Sequence, residues 1–144
     1  MLTVEESIVI DKPRHEVFEF FGDPDNVAVY SSNLIDYQVI EGEPDQVGRK
    51  AKFSVKVVGV RLDYTDELVE RVQDERAKLV SRDGRIPYSI TLTFTDEGSG
   101  TKVAWLQESE SLGGVFKFAD GVVMKMYGRD VRSNLEKAKT LLEA

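Results

Sequence analysis

The sequence predicts an α+β fold: a seven-stranded curved antiparallel sheet, two short helices after the first strand, and a long C-terminal helix packed on the concave face. Three observations predict it. Apolar and polar residues alternate with period two through the middle of the chain. Six such stretches follow one another, joined only by short turn-type sequences, which is the signature of an antiparallel meander. From about Val115 to Leu142 there is no proline or turn cluster, and apolar residues recur at helical spacing.

The elements follow in order. Val4 to Ile10 places Val4, Ile8 and Ile10 on one face of a first strand. Asp11-Lys12-Pro13 ends it, with Asp11 or Lys12 near a helix cap and Pro13 in the first turn, and a short helix carries Val17, Phe18, Phe20 and Phe21 to Gly22. Asp23 caps a second short helix opened by Pro24 and running to about Ser32.

Leu34–Glu41, Arg49–Val58, Val60–Val72, Arg76–Arg82, Pro87–Asp96 and Thr101–Ser109 then read as strands. They are separated by the turn-type stretches Gly42-Glu43-Pro44-Asp45, Gly59, Gln73-Asp74-Glu75, Asp83-Gly84 and Glu97-Gly98-Ser99-Gly100. Ala51, Phe53, Val55 and Val57 alternate with Lys50, Lys52, Ser54 and Lys56, and Tyr88, Ile90, Leu92 and Phe94 alternate with Ser89, Thr91, Thr93 and Thr95. One face of the sheet is therefore expected to be wet and the other covered. On the last helix Met124, Val131, Leu135, Ala138 and Leu142 form the covering stripe.

At 144 residues, 41% of them hydrophobic, the chain suits one domain over residues 1–144 that buries roughly two thirds of its unfolded surface. A net charge of -7 without a basic cluster argues against nucleic acid as a partner. The absence of cysteine removes disulfides, thiol nucleophiles and thiolate metal sites. No stretch approaches the ~20 apolar residues of a membrane span, and the start lacks the basic-then-apolar order of a leader, so no stable membrane insertion and a cytoplasmic location are expected. No cofactor or metal is implied. The lone His15, flanked by Arg14 and Glu16, reads as a surface residue. No nucleophile elbow, Walker-type loop or dinucleotide fingerprint is present.

Polar residues that the alternation points inward carry more information, because a buried unpartnered polar group costs on the order of 1 to 3 kcal/mol. The inward phase of the fourth strand takes in Leu62, Tyr64, Asp66 and Leu68, and that of the last takes in Val103, Trp105 and Gln107. Either Asp66 and Gln107 join Tyr64, Tyr88 and Trp105 in one interior, or they lie past the rim or beyond a phase-reversing bulge. Asp63, Asp66, Glu67 and Glu70 do not form a carboxylate pair set, since Asp63 and Glu67 face opposite to Asp66 and Glu70. Gly121 and Gly128 fall on the upstream part of the helical stripe beside Met124. There they leave room for a ligand, allow close backbone packing, or mark a kink.

This order of elements, with the segments Ser7–Pro24, Gly48-Arg49-Lys50, Gly100–Trp105 and Gly113-Gly114, resembles the START-like or SRPBCC superfamily, which includes polyketide cyclase/dehydrase-like and lipid-transport proteins. The resemblance covers essentially the whole chain. It implies a helix-grip fold with a deep apolar cavity between sheet and long helix, opening near the two short helices and the loop before the long one. Candidate ligand-binding residues are Phe53, Tyr64, Asp66, Tyr88, Phe94, Trp105, Gln107, Phe118, Gly121, Met124 and Gly128. The favoured reading is a noncatalytic carrier of a lipid-, quinone- or polyketide-like molecule. The competing one is a cyclase, dehydratase or hydrolase in which Asp66 is the base and Tyr64 or Tyr88 orients a carbonyl. A third is a partner-binding module. Oligomeric state is left open.

Overall fold

The computed structural model describes residues 2–57, 59–84, 86–110 and 120–144. Within them β1 (Leu2–Ile10) leads into α1 (Arg14–Gly22) and α2 (Pro24–Tyr30). The meander β2 (Leu34–Glu41), β3 (Lys50–Val57), β4 (Val60–Val72), β5 (Arg76–Ser81), β6 (Tyr88–Glu97) and β7 (Gly100–Ser109) follows, and α3 (Asp120–Glu143) ends the chain. The strands form one sheet in the order β1-β7-β6-β5-β4-β3-β2, every neighbouring pair antiparallel. The expected start of the last helix at Val115, the Gly113-Gly114 hinge and Phe118 lie outside the described residues.

Local chemistry sets most boundaries. Asp23 caps α2 as expected, its Oδ1 accepting from the Asp25 N–H at 2.9 Å, with Pro24 at the opening position where a missing N–H is harmless. The cap expected of Asp11 or Lys12 is corrected: Pro13 occupies the cap position of α1 and no side chain caps it. Its carbonyl accepts from the Val17 N–H at 3.1 Å. The sheet bends where register slips, between Ile35 and Gln38 and between Val39 and Glu41 against β3, and between Leu68 and Glu70 against β5.

The inward faces behave as alternation requires. Leu62, Tyr64, Asp66 and Leu68 are buried on β4, as are Val103, Trp105 and Gln107 on β7, so both polar residues point inside. Ser54, placed by alternation on the wet face, is buried as well, beneath Arg61 and Asp63, with its hydroxyl donating to Asp63 Oδ1 at 2.6 Å.

The α3 stripe holds as expected and widens to include Val123 and Asn134. Its C-terminal half seals β1 and β7, where Ile10, Val103, Leu135 and Ala138 are all at most 1% exposed. Each such aliphatic side chain contributes roughly 1.5 to 3 kcal/mol through burial, alanine less. Polar ties hold the rim of this seam: Arg132 Nη2 meets Glu6 at 2.8 Å, Lys139 Nζ donates to the Val9 carbonyl at 2.7 Å, and the Asp11 N–H donates to Glu143 at 2.8 Å.

Candidate functional site

Between the sheet and the helices lies a cavity of about 370 Å³. Its wall takes side chains from α1 and α2 (Phe18, Phe21, Tyr30), from the sheet (Tyr37, Phe53, Leu79, Tyr88, Phe94, Trp105) and from α3 (Tyr127, Val131, Asn134). The volume is that of a small-molecule site, and the mixture of many apolar groups with a few polar ones is what such sites use.

Aromatic rings give the wall its shape, with Tyr64 backing it from outside the lining. Across the sheet, Tyr37, Phe53, Tyr64 and Tyr88 form a row with centroids 5.6, 5.9 and 5.0 Å apart, the last pair edge-to-face at 84°. Opposite, Phe94 meets Phe18 at 5.1 Å and Phe21 at 5.9 Å, and Phe21 meets Tyr30 at 5.2 Å. Such pairs hold rings in defined orientations and add ~0.5 to 1.5 kcal/mol each beyond burial.

The polar part of the wall centres on Arg49 and Asp66. Gly48, at φ 100°, turns the chain ahead of β3, and its N–H donates to the Leu68 carbonyl at 2.9 Å while the Leu68 N–H returns a bond of 2.9 Å to the Arg49 carbonyl. That pairing sets Arg49 beside β4. On β3, Ala51 stands opposite Asp66.

Arg49 and Asp66 are each 5% exposed, with Arg49 Nη2 4.0 Å from Asp66 Oδ1, an ion pair too long to be a hydrogen bond. Arg49 Nη1 reaches the Pro44 carbonyl at 3.4 Å, but among the described residues Arg49 Nε and Asp66 Oδ1 have no hydrogen-bond partner. Burial pushes the Asp66 carboxyl up to about 6 against the opposing pull of Arg49, with Asp83 adding to the rise. Burial likewise raises the phenols of Tyr30, Tyr37 and Tyr88 well above their ordinary value, so all three are neutral hydroxyls at neutral pH.

The sequence candidates divide. Phe53, Asp66, Tyr88, Phe94 and Trp105 line the cavity. Tyr64 does not: it is buried behind the wall, its phenol pushed up to about 12, with its ring against Gly84, where an added Cβ would fall 2.2 Å from two ring carbons. Gln107 is also buried away from the lining, its Oε1 accepting from Trp105 Nε1 at 3.3 Å. Met124 packs between two core clusters rather than on the cavity.

The glycine expectation is corrected in its ligand form. Gly121 is exposed, with nothing among the described residues within 4 Å of the place a Cβ would take, so it opens no space under the sheet. Gly128 is buried against β1, where an added Cβ would make ordinary van der Waals contact with Glu6 at 3.6 Å and Val4 at 3.8 Å, outside the cavity. Phe118 lies outside the described residues.

Sequence reasoning missed Arg49, Tyr30 and Tyr37 as site residues. For Arg49 the available signals were the family pattern Gly48-Arg49-Lys50 and the alternation that carries it onto the inward face of Ala51, Phe53 and Val55. His15 has a structural use: its Nδ1 pairs with Asp74 Oδ1 at 2.9 Å, and Gln73 Nε2 donates to Asp74 at 2.8 Å and Glu19 at 3.3 Å, tying α1 to the β4–β5 turn.

A sheet gripping a long helix around a largely apolar cavity defines the helix-grip class. Solved structures share it across nearly their whole length: TTHA0849 from Thermus thermophilus (TM-score 0.85, 19% identity, 98% of this chain and 97% of that one) and ginseng major latex-like protein 151 from Panax ginseng (0.76, 16%, 96% and 95%). A conserved protein from Geobacillus kaustophilus is similar as well (0.79, 14%, 99% and 95%). At these identities the likeness is one of fold. No curated protein matches the chain in sequence. Residues 1–143 match the family model described as polyketide cyclase / dehydrase and lipid transport, and the chain belongs to that family. The START-like resemblance is thereby confirmed, and with it a general association with hydrophobic ligands.

Proposed function

We propose that this protein binds and carries a hydrophobic small molecule, lipid-, quinone- or polyketide-like, in the cavity between the sheet and α3. The observation that carries the reading is an interior of about 370 Å³ walled by Phe18, Phe21, Phe53, Leu79 and Phe94, a volume that the apolar residues of the core leave unfilled. Affinity would come from burial of apolar surface at about 25 cal/mol per Å². The reading includes action in the cytoplasm. Its support is that the chain has no cysteine and so needs no oxidising compartment, and that among the described residues no helix is long and apolar enough to cross a membrane.

Organic extraction of the purified protein, followed by mass spectrometry, is expected to release about one equivalent of an apolar molecule per chain, and Leu79→Trp is expected to reduce it by filling the wall. Protein that yields nothing and, once stripped, fails to take up an apolar fluorescent probe would overturn the reading.

One observation favours a second reading, an enzyme in the same cavity: Asp66 is buried, lacks a hydrogen-bond partner at Oδ1 among the described residues, and has its carboxyl pushed up to about 6 by burial, toward the range a general base needs. A substrate turned over at an unchanged rate by Asp66→Asn would exclude it.

A further inference from the structure

We infer that the molecule held in the cavity carries a neutral hydroxyl, seated between Arg49 and Asp66, at the end of an otherwise apolar body. The inference rests on the proposed binding function and specifies the chemistry of its ligand. Two unpartnered atoms point to it. Among the described residues Arg49 Nε carries a hydrogen with no acceptor, and Asp66 Oδ1 is an acceptor with no donor, both in residues 95% buried that line the same cavity.

A hydroxyl answers both at once, because its oxygen accepts from the guanidinium and its hydrogen is donated to the carboxylate. An aliphatic or phenolic alcohol and an enol have this pattern. A carboxylate head has no hydrogen for Asp66 and places like charges together, and an ammonium has no lone pair for Arg49. The pair's own charges cancel, so the site offers no net charge to attract either ion. The walls on either side, Phe53 and Tyr37 on one and Tyr30 and Phe21 on the other, then take the apolar body.

The probes are naphthalene, 2-naphthol and 2-naphthoate, one ring system with three heads, titrated into the stripped protein at neutral pH by calorimetry or quenching of Trp105. A hydroxyl in a wall without partners weakens binding through its lost hydration. Here 2-naphthol is expected to bind about tenfold more tightly than naphthalene, the effect of a hydrogen bond to a charged group, with 2-naphthoate the weakest. The ratio of naphthol to naphthalene affinity should fall to one or below in Arg49→Met/Asp66→Leu, which removes both charges together and strands neither. Asp66→Asn, closer in shape, should lower the same ratio if the double variant does not fold.

Equal binding of naphthol and naphthalene by the wild type, a preference for naphthoate, or a naphthol preference that survives these substitutions would each overturn the head-group assignment while leaving the binding function standing. Failure of all three probes to bind would overturn both.

Discussion

The two halves of the interior are built from the same sheet and differ in what its strands turn inward. Under the C-terminal half of α3, β1 and β7 present Ile10, Val103 and Thr101, each 0% exposed, against Leu135 and Ala138, and the space is filled. Under α2 and the middle of α3, β3 and β4 present Phe53, Val55, Asp66 and Leu68, with Arg49 entering from the turn, and a cavity remains. The first half is where burial supplies stability. The second leaves a buried ion pair without full hydrogen bonding, an arrangement that costs stability and is tolerated because the first half is well packed.

The largest test of that contrast is a matched pair of truncations. Leu135→Ala, in the sealed half, should cost about 3 to 4 kcal/mol in urea unfolding, because it opens a new void. Leu79→Ala, which enlarges a space already present, should cost about 1 kcal/mol. Equal losses would erase the distinction between the halves.

Next comes the pH dependence of Asp66. Its folded value, raised to about 6 from 3.8, means that between about pH 4 and pH 6 the unfolded chain has released a proton the folded one still holds. Stability therefore falls as pH rises through that window and is level above it. The stability of the wild type relative to Asp66→Asn should decline by roughly 2 to 3 kcal/mol from pH 4 to pH 6.5, measured by denaturant melts at each pH. A rising difference would mean that Arg49 outweighs burial.

Smaller effects separate the glycines. Gly84→Ala should cost about 2 kcal/mol in thermal unfolding, because the Tyr64 ring sits where its methyl must go. Gly121→Ala, on the exposed side of α3 with open space around it, should stabilise by about 0.5 to 1 kcal/mol by favouring helix.

What the sequence disclosed follows the same division. Strands that run in unbroken phase were readable residue by residue: β4 keeps its alternation from Leu62 to Leu68, so Asp66 is inward, and β7 keeps it through Gln107. Arg49 falls two residues before Ala51, in the inward phase of Phe53 and Val55, but the period names a face and not a partner. It follows a turn shaped by the positive φ of Gly48, and its ion-pair partner Asp66 lies 17 positions away in the chain, a pairing that alternation does not encode.

Tyr37 was hidden by the β2 bulges and by Asp36 at φ 55°, which reset the strand's phase just before it. Tyr30 ends a helix of seven residues, too short for a stripe to declare its face. On α3 the period was right and the target wrong, since helical spacing tells that Gly128 faces inward without telling that β1, rather than the cavity, lies beneath it.

The bulges of β2 have a further consequence, for how these molecules meet one another. β2 is the outer strand on its side of the sheet, the position from which sheets polymerise. Its pairing with β3 never continues for more than two successive residues before the register shifts, and the kinked backbone that results carries Asp36 and Glu41. A second chain approaching that rim finds no straight ladder to extend, so the irregularity that hid Tyr37 from the sequence also discourages strand-to-strand association in a crowded solution.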